Sequence, residues 1–415
     1  MNAQSLQSQL AEISKAIEVQ NFVLRDLEKQ RRTLRSQLNS ILDPFARLPL
    51  EISSDILLRC LPKRAAKLAP SEPPTIFLNV CHSWRSIALS TPALWACFTD
   101  ETVPAAKRPE LFQKWLALSG GFPLSLSIGH RARETSRFDA AALITLVEQH
   151  AHRVHRLDFF ISSNLDTLTF MMPLRALRTL MLDGSGAASQ STTNILQLLL
   201  SAPNLERCHF AGVGFNIPPN ADVIQPLSHL SLQHLTLSRG TAPSANTAVI
   251  LRFLTLPSLH TFSMIDLDKP VSSNDVASFL SRSSPPLQSL CLCTTTTEPG
   301  PNPCLRLLPT LHSLSIGGRC SSAHQLLTDL TPCAALFPTL QHLTINGNCA
   351  DALYGWEYAV VVDILETRPA TLRSFEMPYM SCGEEDVPGD IRAFLGGLVR
   401  GGLRIKIGIE DFTRY

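Results

Sequence analysis

The sequence predicts an α/β protein in three parts: an N-terminal helix of coiled-coil type, a small all-α module, and an irregular solenoid with a parallel sheet. Three observations carry this expectation. Apolar residues recur at three- and four-residue steps through residues 3–42. Two short amphipathic helical patterns and a closing Pro-x-x-Trp occupy residues 48–95. From residue 154 a motif of the form L-x-x-L-x-L, with conservative replacements, returns nine times. A chain of 415 residues exceeds one ordinary core, and 45% hydrophobic with 17% charged residues describes a folded protein. The formal net charge of +1 supplies no whole-chain field for nucleic acid or an anionic membrane. No apolar run approaches the roughly 18 residues of a membrane span, and MNAQSLQSQL lacks the apolar core of a signal peptide. An intracellular protein, of cytoplasm or nucleus, is expected.

In the first part Leu6, Leu10, Ile13, Ile17, Leu24, Leu27, Leu34, Leu38 and Ile41 form the seam, and the steps stay in register if Gln20 and Arg31 fill two of its positions. Such a seam favours supercoiling with another helix. Homodimerisation through residues 3–42 and folding back on the chain's own body are both open. Asp43-Pro44 ends the helix, because the residue before proline avoids helical geometry.

The second part opens with LPLEISSDILLRCLP. Pro49 suits a first helical turn, Glu51 lies near the positive end of the helix dipole, and Ile52, Ile56, Leu57, Cys60 and Leu61 share one face. Pro62 stops this helix. PKRAAKLAPSEPP reads as an exposed loop. Ile76, Phe77, Val80 and Cys81 then form one apolar face, and Trp84, Ile87 and Ala88 another. So small a unit buries little surface alone, so these faces are either core or a docking surface. LPLEI, VCHSWRSIAL and TPALW together resemble the F-box of fungal F-box proteins, over Leu48 to about Trp95. The resemblance implies docking to a Skp-type adaptor, and through it a cullin. Leu48, Pro49, Ile52, Ile56, Leu57, Val80, Trp84 and Ile87 would supply the face or core of that contact. It also implies a substrate-recruiting subunit of an SCF-type cullin–RING ubiquitin ligase. The second expectation is a non-ligase scaffold that self-associates through its N-terminal helix and binds partners through the repeats. The expected boundaries are 1–43 for the coiled-coil helix, 44–98 for the F-box, 99–119 for a helical linker and 120–415 for the solenoid.

The repeats begin at Val154, Leu177, Leu205, Leu232, Leu259, Leu287, Leu311, Leu340 and Leu372, separated by 23, 28, 27, 27, 28, 24, 29 and 32 residues. Periods in the twenties with this core resemble leucine-rich repeats. A tenth strand is expected over 403–407. Helical patterns separate the strands: FDAAALITLVEQH, TTNILQLLLSAP, NTAVILRFLTLP, NDVASFLSRSSPP and YAVVVDILETRP. One strand plus one helix per repeat gives a solenoid with a parallel sheet on its concave side. The family's asparagine after the strand is nearly absent, the equivalent positions being Ser162, Ser185, Val213, Gly240, Leu267, Thr295, Arg319, Asn348 and Met380.

If the leucines point inward, alternation sends the residues between them to the concave face. That face would hold Arg156, Asp158, Phe160, Thr179, Met181, Asp183, Arg207 and His209. It would continue through His234, Thr236, Ser238, Thr261, Ser263, Ser289, Cys291, Cys293, Ser313 and Ser315. His342, Thr344, Asn346, Ser374 and Glu376 would close it. As a target-binding surface its candidates are Arg156, Asp158, Arg207, His209, His234, Thr236, His342, Asn346 and Glu376. Its unknown ligand would be a protein substrate. No H-E-x-x-H, G-x-S-x-G or phosphate-binding loop occurs, and the 11 cysteines lack zinc-site spacing. The expectation is therefore no enzyme, no catalytic residue, no metal and no cofactor, with neither nucleic acid nor membrane as a partner.

Overall fold

The computed structural model describes residues 3–62, 66–67, 69, 71–99, 108–128, 140–160, 172–184, 190–216, 225–239, 247–265, 267, 271–293, 307–318, 337–347, 362–366, 371–377, 389–407 and 410–411. The fold is mixed α/β, with a long N-terminal helix and a large parallel sheet. The chain divides into unit 1, residues 1–103 with 110–122, and unit 2, residues 104–109 with 123–415.

Unit 1 begins with α1 (Ala3–Leu42), which ends where Asp43-Pro44 predicts. Asp43 caps the following 3-10 turn (Pro44–Arg47) by accepting from the Phe45 N–H at 2.9 Å. Its other oxygen accepts from the Cys81 thiol at 3.3 Å. The next helix, α2 (Leu50–Arg59), starts later than expected: Pro49 is its N-cap, with ψ 146°, and lies outside the first turn. Leu48 precedes a proline and is held extended, ψ 148°, so helix cannot begin there. Then come β1 (Ala66–Lys67), α3 (Phe77–Val80), α4 (His82–Leu89), a 3-10 turn (Pro92–Trp95), β2 (Cys97–Thr99) and α5 (Arg108–Leu118). β1 pairs in parallel with β2, Ala66 beside Phe98, so part of the segment expected as a loop is strand. Leu57, Phe77, Leu94, Trp95, Phe98, Phe112 and Trp115 are buried. Trp95 donates its indole N–H to the Ala88 carbonyl at 2.8 Å and meets Trp115 edge-on at 5.0 Å. Phe98 packs on Phe112 and Trp115 at 4.7 and 5.3 Å. The helix expected as a linker thus places Phe112 and Trp115 in this core.

Unit 2 contains β3 (Leu124–Ile128), α6 (Ala140–Gln149), β4 (Val154–Phe160), β5 (Thr179–Asp183), β6 (Gln190–Ser191), α7 (Thr192–Ser201), β7 (Arg207–Ala211), β8 (Phe215–Asn216), β9 (Leu227–Ser228) and β10 (His234–Ser238). A 3-10 segment (Thr247–Phe253), β11 (Leu254–Thr255), β12 (Thr261–Ile265), α8 (Ser273–Ser283), β13 (Ser289–Cys293), β14 (Ser313–Gly318) and β15 (His342–Gly347) follow. The unit ends with β16 (Ser374–Met377), α9 (Gly389–Arg400), β17 (Arg404–Ile407) and β18 (Glu410–Asp411). The sheet order is β3-β4-β5-β7-β10-β12-β13-β14-β15-β16-β17-β18. Neighbours from β3 to β17 are parallel, and β18 turns back antiparallel on β17.

Register follows the repeated motif. The second apolar position of each repeat lies beside that of the next: Leu157, Leu180, Cys208, Leu235, Phe262, Leu290, Leu314, Leu343, Phe375 and Ile405. All are buried, as are the first-position residues from Val154 to Leu403. Ile195, Leu198 and Leu199 of α7, and Val276, Phe279 and Leu280 of α8, are buried too. The Phe279 and Phe262 rings lie 5.5 Å apart. The connection NTAVILRFLTLP, expected as a helix, is a 3-10 helix over Thr247–Phe253. Adjacent β-branched Val249 and Ile250 lower its helical preference, and every residue but Arg252 is buried. Arg282 fastens its end, donating through Nη2 to the Leu251 and Leu254 carbonyls at 2.8 Å. Val213 and Leu267, at the positions after the strand where the leucine-rich-repeat resemblance would expect asparagine, are buried apolar residues. The other residues of that set lie outside the described residues.

Because Phe262 is fully buried in a strand paired on both sides, Phe262→Ala should cost about 3–5 kcal/mol in denaturant unfolding. Amide exchange should accelerate in β10 and β13 as well as in β12.

Candidate functional site

Alternation in the parallel strands places the residues between the buried leucines on the opposite sheet face. One row runs Arg156, Thr179, Arg207, His234, Thr261, Ser289, Ser313, His342, Ser374 and Arg404. A second runs Asp158, Met181, His209, Thr236, Ser263, Cys291, Ser315, Thr344, Glu376 and Lys406. A third holds Phe160, Asp183, Ala211, Ser238, Ile265, Cys293, Gly317 and Asn346. The nominated residues of the repeat array therefore share one surface. Arg404 and Lys406 extend it beyond the expected last member, Glu376. Their signal was the weak tenth motif, in which Ile405 and Ile407 keep the apolar alternation.

The surface is made of fixed small polar contacts. Arg156 grips Asp158 through both carboxylate oxygens at 3.0 and 3.1 Å. His209 Nε2 lies 2.8 Å from the Ser238 hydroxyl, and His342 Nδ1 lies 2.8 Å from that of Ser374. Asn346 donates its amide to Ser315 Oγ at 2.9 Å and to Cys293 Sγ at 3.5 Å, and the Cys291 and Cys293 sulfurs are 3.5 Å apart. Gly317 makes the last cluster possible. A Cβ there would stand 2.6 Å from the Asn346 carbonyl oxygen and 2.8 Å from Cys293 Sγ. Hydroxyls, imidazoles and a carboxamide in rows offer hydrogen-bond donors and acceptors at strand spacing, which suits recognition of a peptide or of another protein's polar surface.

Two imidazoles on this face have lowered pKa values. Burial lowers the His209 pKa, against the pull of Asp183 and Asp158. Burial also lowers that of His234, helped by Arg207 and His260 and opposed by Glu206. Away from the face, burial lowers the pKa of His229, which contacts the Ala202 carbonyl at 3.0 Å.

In unit 1 the nominated residues divide by depth. Leu57 is fully buried and is core. Ile56, Trp84 and Ile87 are half-buried, and the Trp84 ring lies between Phe45 at 4.6 Å and Phe77 at 5.9 Å. Leu48, Ile52 and Val80 are 39%, 50% and 50% exposed, and Pro49 is exposed. Leu50, Ile76 and Leu89, which were not nominated, are exposed as well. The sequence carried a sign of each: Leu50 in the LPLEI run, Ile76 in the apolar face it shares with Val80, and Leu89 at the end of VCHSWRSIAL.

No protein-family model matches the chain, and no curated protein matches it. Among the described residues, no helix is long and apolar enough to cross a membrane. Nor does any group of three or more His, Cys, Asp and Glu side chains there have the arrangement to hold a metal ion.

Two measurements follow from this geometry. Gly317→Ala should destabilise unit 2 by about 1–3 kcal/mol, through overpacking against fixed backbone. Gly396→Ala, in open space on α9, should stabilise by roughly 0.5–1 kcal/mol. For pH, the lowered histidine pKa values mean that the unfolded chain takes up protons first as pH falls. The stability these groups contribute is complete above the ordinary value of about 6.5 and is lost as pH drops from there toward the folded values. The urea midpoint should fall over that window, and His209→Gln should flatten part of the slope.

Proposed function

We propose that the chain is the substrate-recruiting subunit of an SCF-type cullin–RING ubiquitin ligase, with an F-box in unit 1 and irregular leucine-rich repeats in unit 2. The observation that carries this reading is the set of exposed apolar side chains in the module that resembles an F-box: Leu48, Leu50, Ile52, Ile76, Val80 and Leu89. Apolar residues concentrated on so small a folded unit suit a protein–protein interface, and the resemblance makes a Skp-type adaptor the partner. Leu57, Trp84 and Ile87 would hold the helices that present this face, while Leu48, Pro49, Ile52 and Val80 would touch the adaptor. The polar rows of unit 2 would bind the target protein. The subunit's contribution would be proximity, holding a target beside the transfer site without chemistry of its own.

The exposed seam of α1 favours a second reading, a scaffold that self-associates and binds partners through the repeats with no ligase link. Co-expression of the full chain with a Skp-type adaptor separates the two. Ile52→Asp with Val80→Asp, both on exposed positions, should abolish co-purification while leaving the thermal transition in place. Leu57→Asp is unsuitable, because a charge at a fully buried position would unfold the module. Adaptor binding unaffected by the double change, or absent from the unaltered chain, would exclude the ligase reading.

A further inference from the structure

α1 leaves its apolar seam in solvent. Leu10, Ile17, Leu24 and Leu38 are 54–64% exposed, and Ile13, Leu27, Leu34 and Ile41 are 57–65% exposed. A helix of 40 residues, about 60 Å long, with one stripe of this kind calls for a second helix to cover it. The two polar members of the seam decide which. Gln20 and Arg31 are exposed at positions where a supercoil places its core. Two copies side by side in parallel would set Arg31 against Arg31, two like charges in an apolar seam.

We propose that α1 pairs antiparallel with α1 of a second copy of this chain, in the register that sets Leu24 opposite Leu27. In that register Leu10 meets Ile41, Ile13 meets Leu38 and Ile17 meets Leu34, so every apolar seam residue between 10 and 41 has an apolar partner. Gln20 meets Arg31 on each side of the two-fold axis, and the carboxamide oxygen accepts from the guanidinium. Sliding by one heptad in either direction sets Arg31 against Ile13 or Leu27 and strands the charge. The polar pair therefore fixes both direction and register, the usual role of a polar residue in a coiled-coil seam.

Charge along the helix agrees. Residues 25–35 carry Arg25, Lys29, Arg31, Arg32 and Arg35 against Asp26 and Glu28, whereas residues 3–24 carry Glu12 and Glu18 against Lys15. Antiparallel pairing in this register lays residues 25–35 beside residues 16–26 of the other copy, which carry Glu18 and Asp26 against Arg25, whereas parallel pairing would stack basic on basic. This inference rests on neither adaptor docking nor target binding, so it stands or falls separately from both.

The test uses the purified full chain. Sedimentation at tens of micromolar should give a dimer, and Ile17→Asp with Leu34→Asp should weaken association on the order of a hundredfold or more. A photo-crosslinking benzoylphenylalanine in place of Leu10 should attach to the tryptic peptide 36–47 of the other copy. Within one helix Leu10 and Ile41 lie about 46 Å apart, so this product cannot form inside one chain. Gln20→Glu should tighten the dimer about fivefold, since each dimer gains two carboxylate–guanidinium pairs. A monomer, a crosslink to peptide 1–15, or a Gln20→Glu dimer no tighter than the original overturns the proposal.

Discussion

Each strand of unit 2 can pair its backbone only with the repeats on either side of it. The dependence is plainest just ahead of the strands. The Arg178 N–H donates to the His155 carbonyl, Glu206 and Arg207 donate to Arg178, and Gln233 and His234 donate to Glu206. The series goes on through His260, Gln288, His312, Gln341 and Arg373 to Arg404. A buried backbone group without a partner is costly, so no single repeat can hold its strand alone. The leucine rows add apolar burial to the same neighbour-to-neighbour coupling, and stability becomes a property of the stack.

That coupling explains why so much of unit 2 is legible in the sequence. A residue type that must recur at every repeat, such as the apolar residues from Leu157 to Ile405, leaves a period that can be counted. Once the period is known, alternation assigns the polar face, and Arg156, His209, His342 and Asn346 fall where alternation puts them. What a period cannot reveal is contact between particular neighbours. Nothing in the spacing pairs His209 with Ser238, or requires glycine at 317 to leave room for Asn346 and Cys293. The connections that become α6, α7 and α8 are legible as helices, whereas over Thr247–Phe253 burial overrides local preference and the helix is 3-10.

Beyond α1, unit 1 is harder to read for the opposite reason: its elements are short and each occurs once. One proline moves the start of α2 by holding Leu48 extended, and a two-residue pairing converts part of an apparent loop into strand. The segment taken for a linker supplies Phe112 and Trp115 to a core that also needs Trp95 and Phe98. Aromatic residues far apart in sequence carry no pattern that announces their meeting. The long-range partner has to be seen, and the depth of each side chain with it: Leu57 and Ile52 are both apolar residues of α2, yet one is core and the other faces water.

The sheet ends differently from the way it is built. Every strand from β3 to β17 accepts its successor in the same direction, and β18 reverses on β17 with Glu410 and Asp411 as its residues. A parallel array of this kind would otherwise present an open edge shaped to receive one more repeat, including one from another molecule. The reversed strand gives that edge the wrong polarity for one more parallel repeat. Among the described residues, the last strand therefore offers a further repeat an antiparallel partner, where its predecessors in the sheet offer a parallel one.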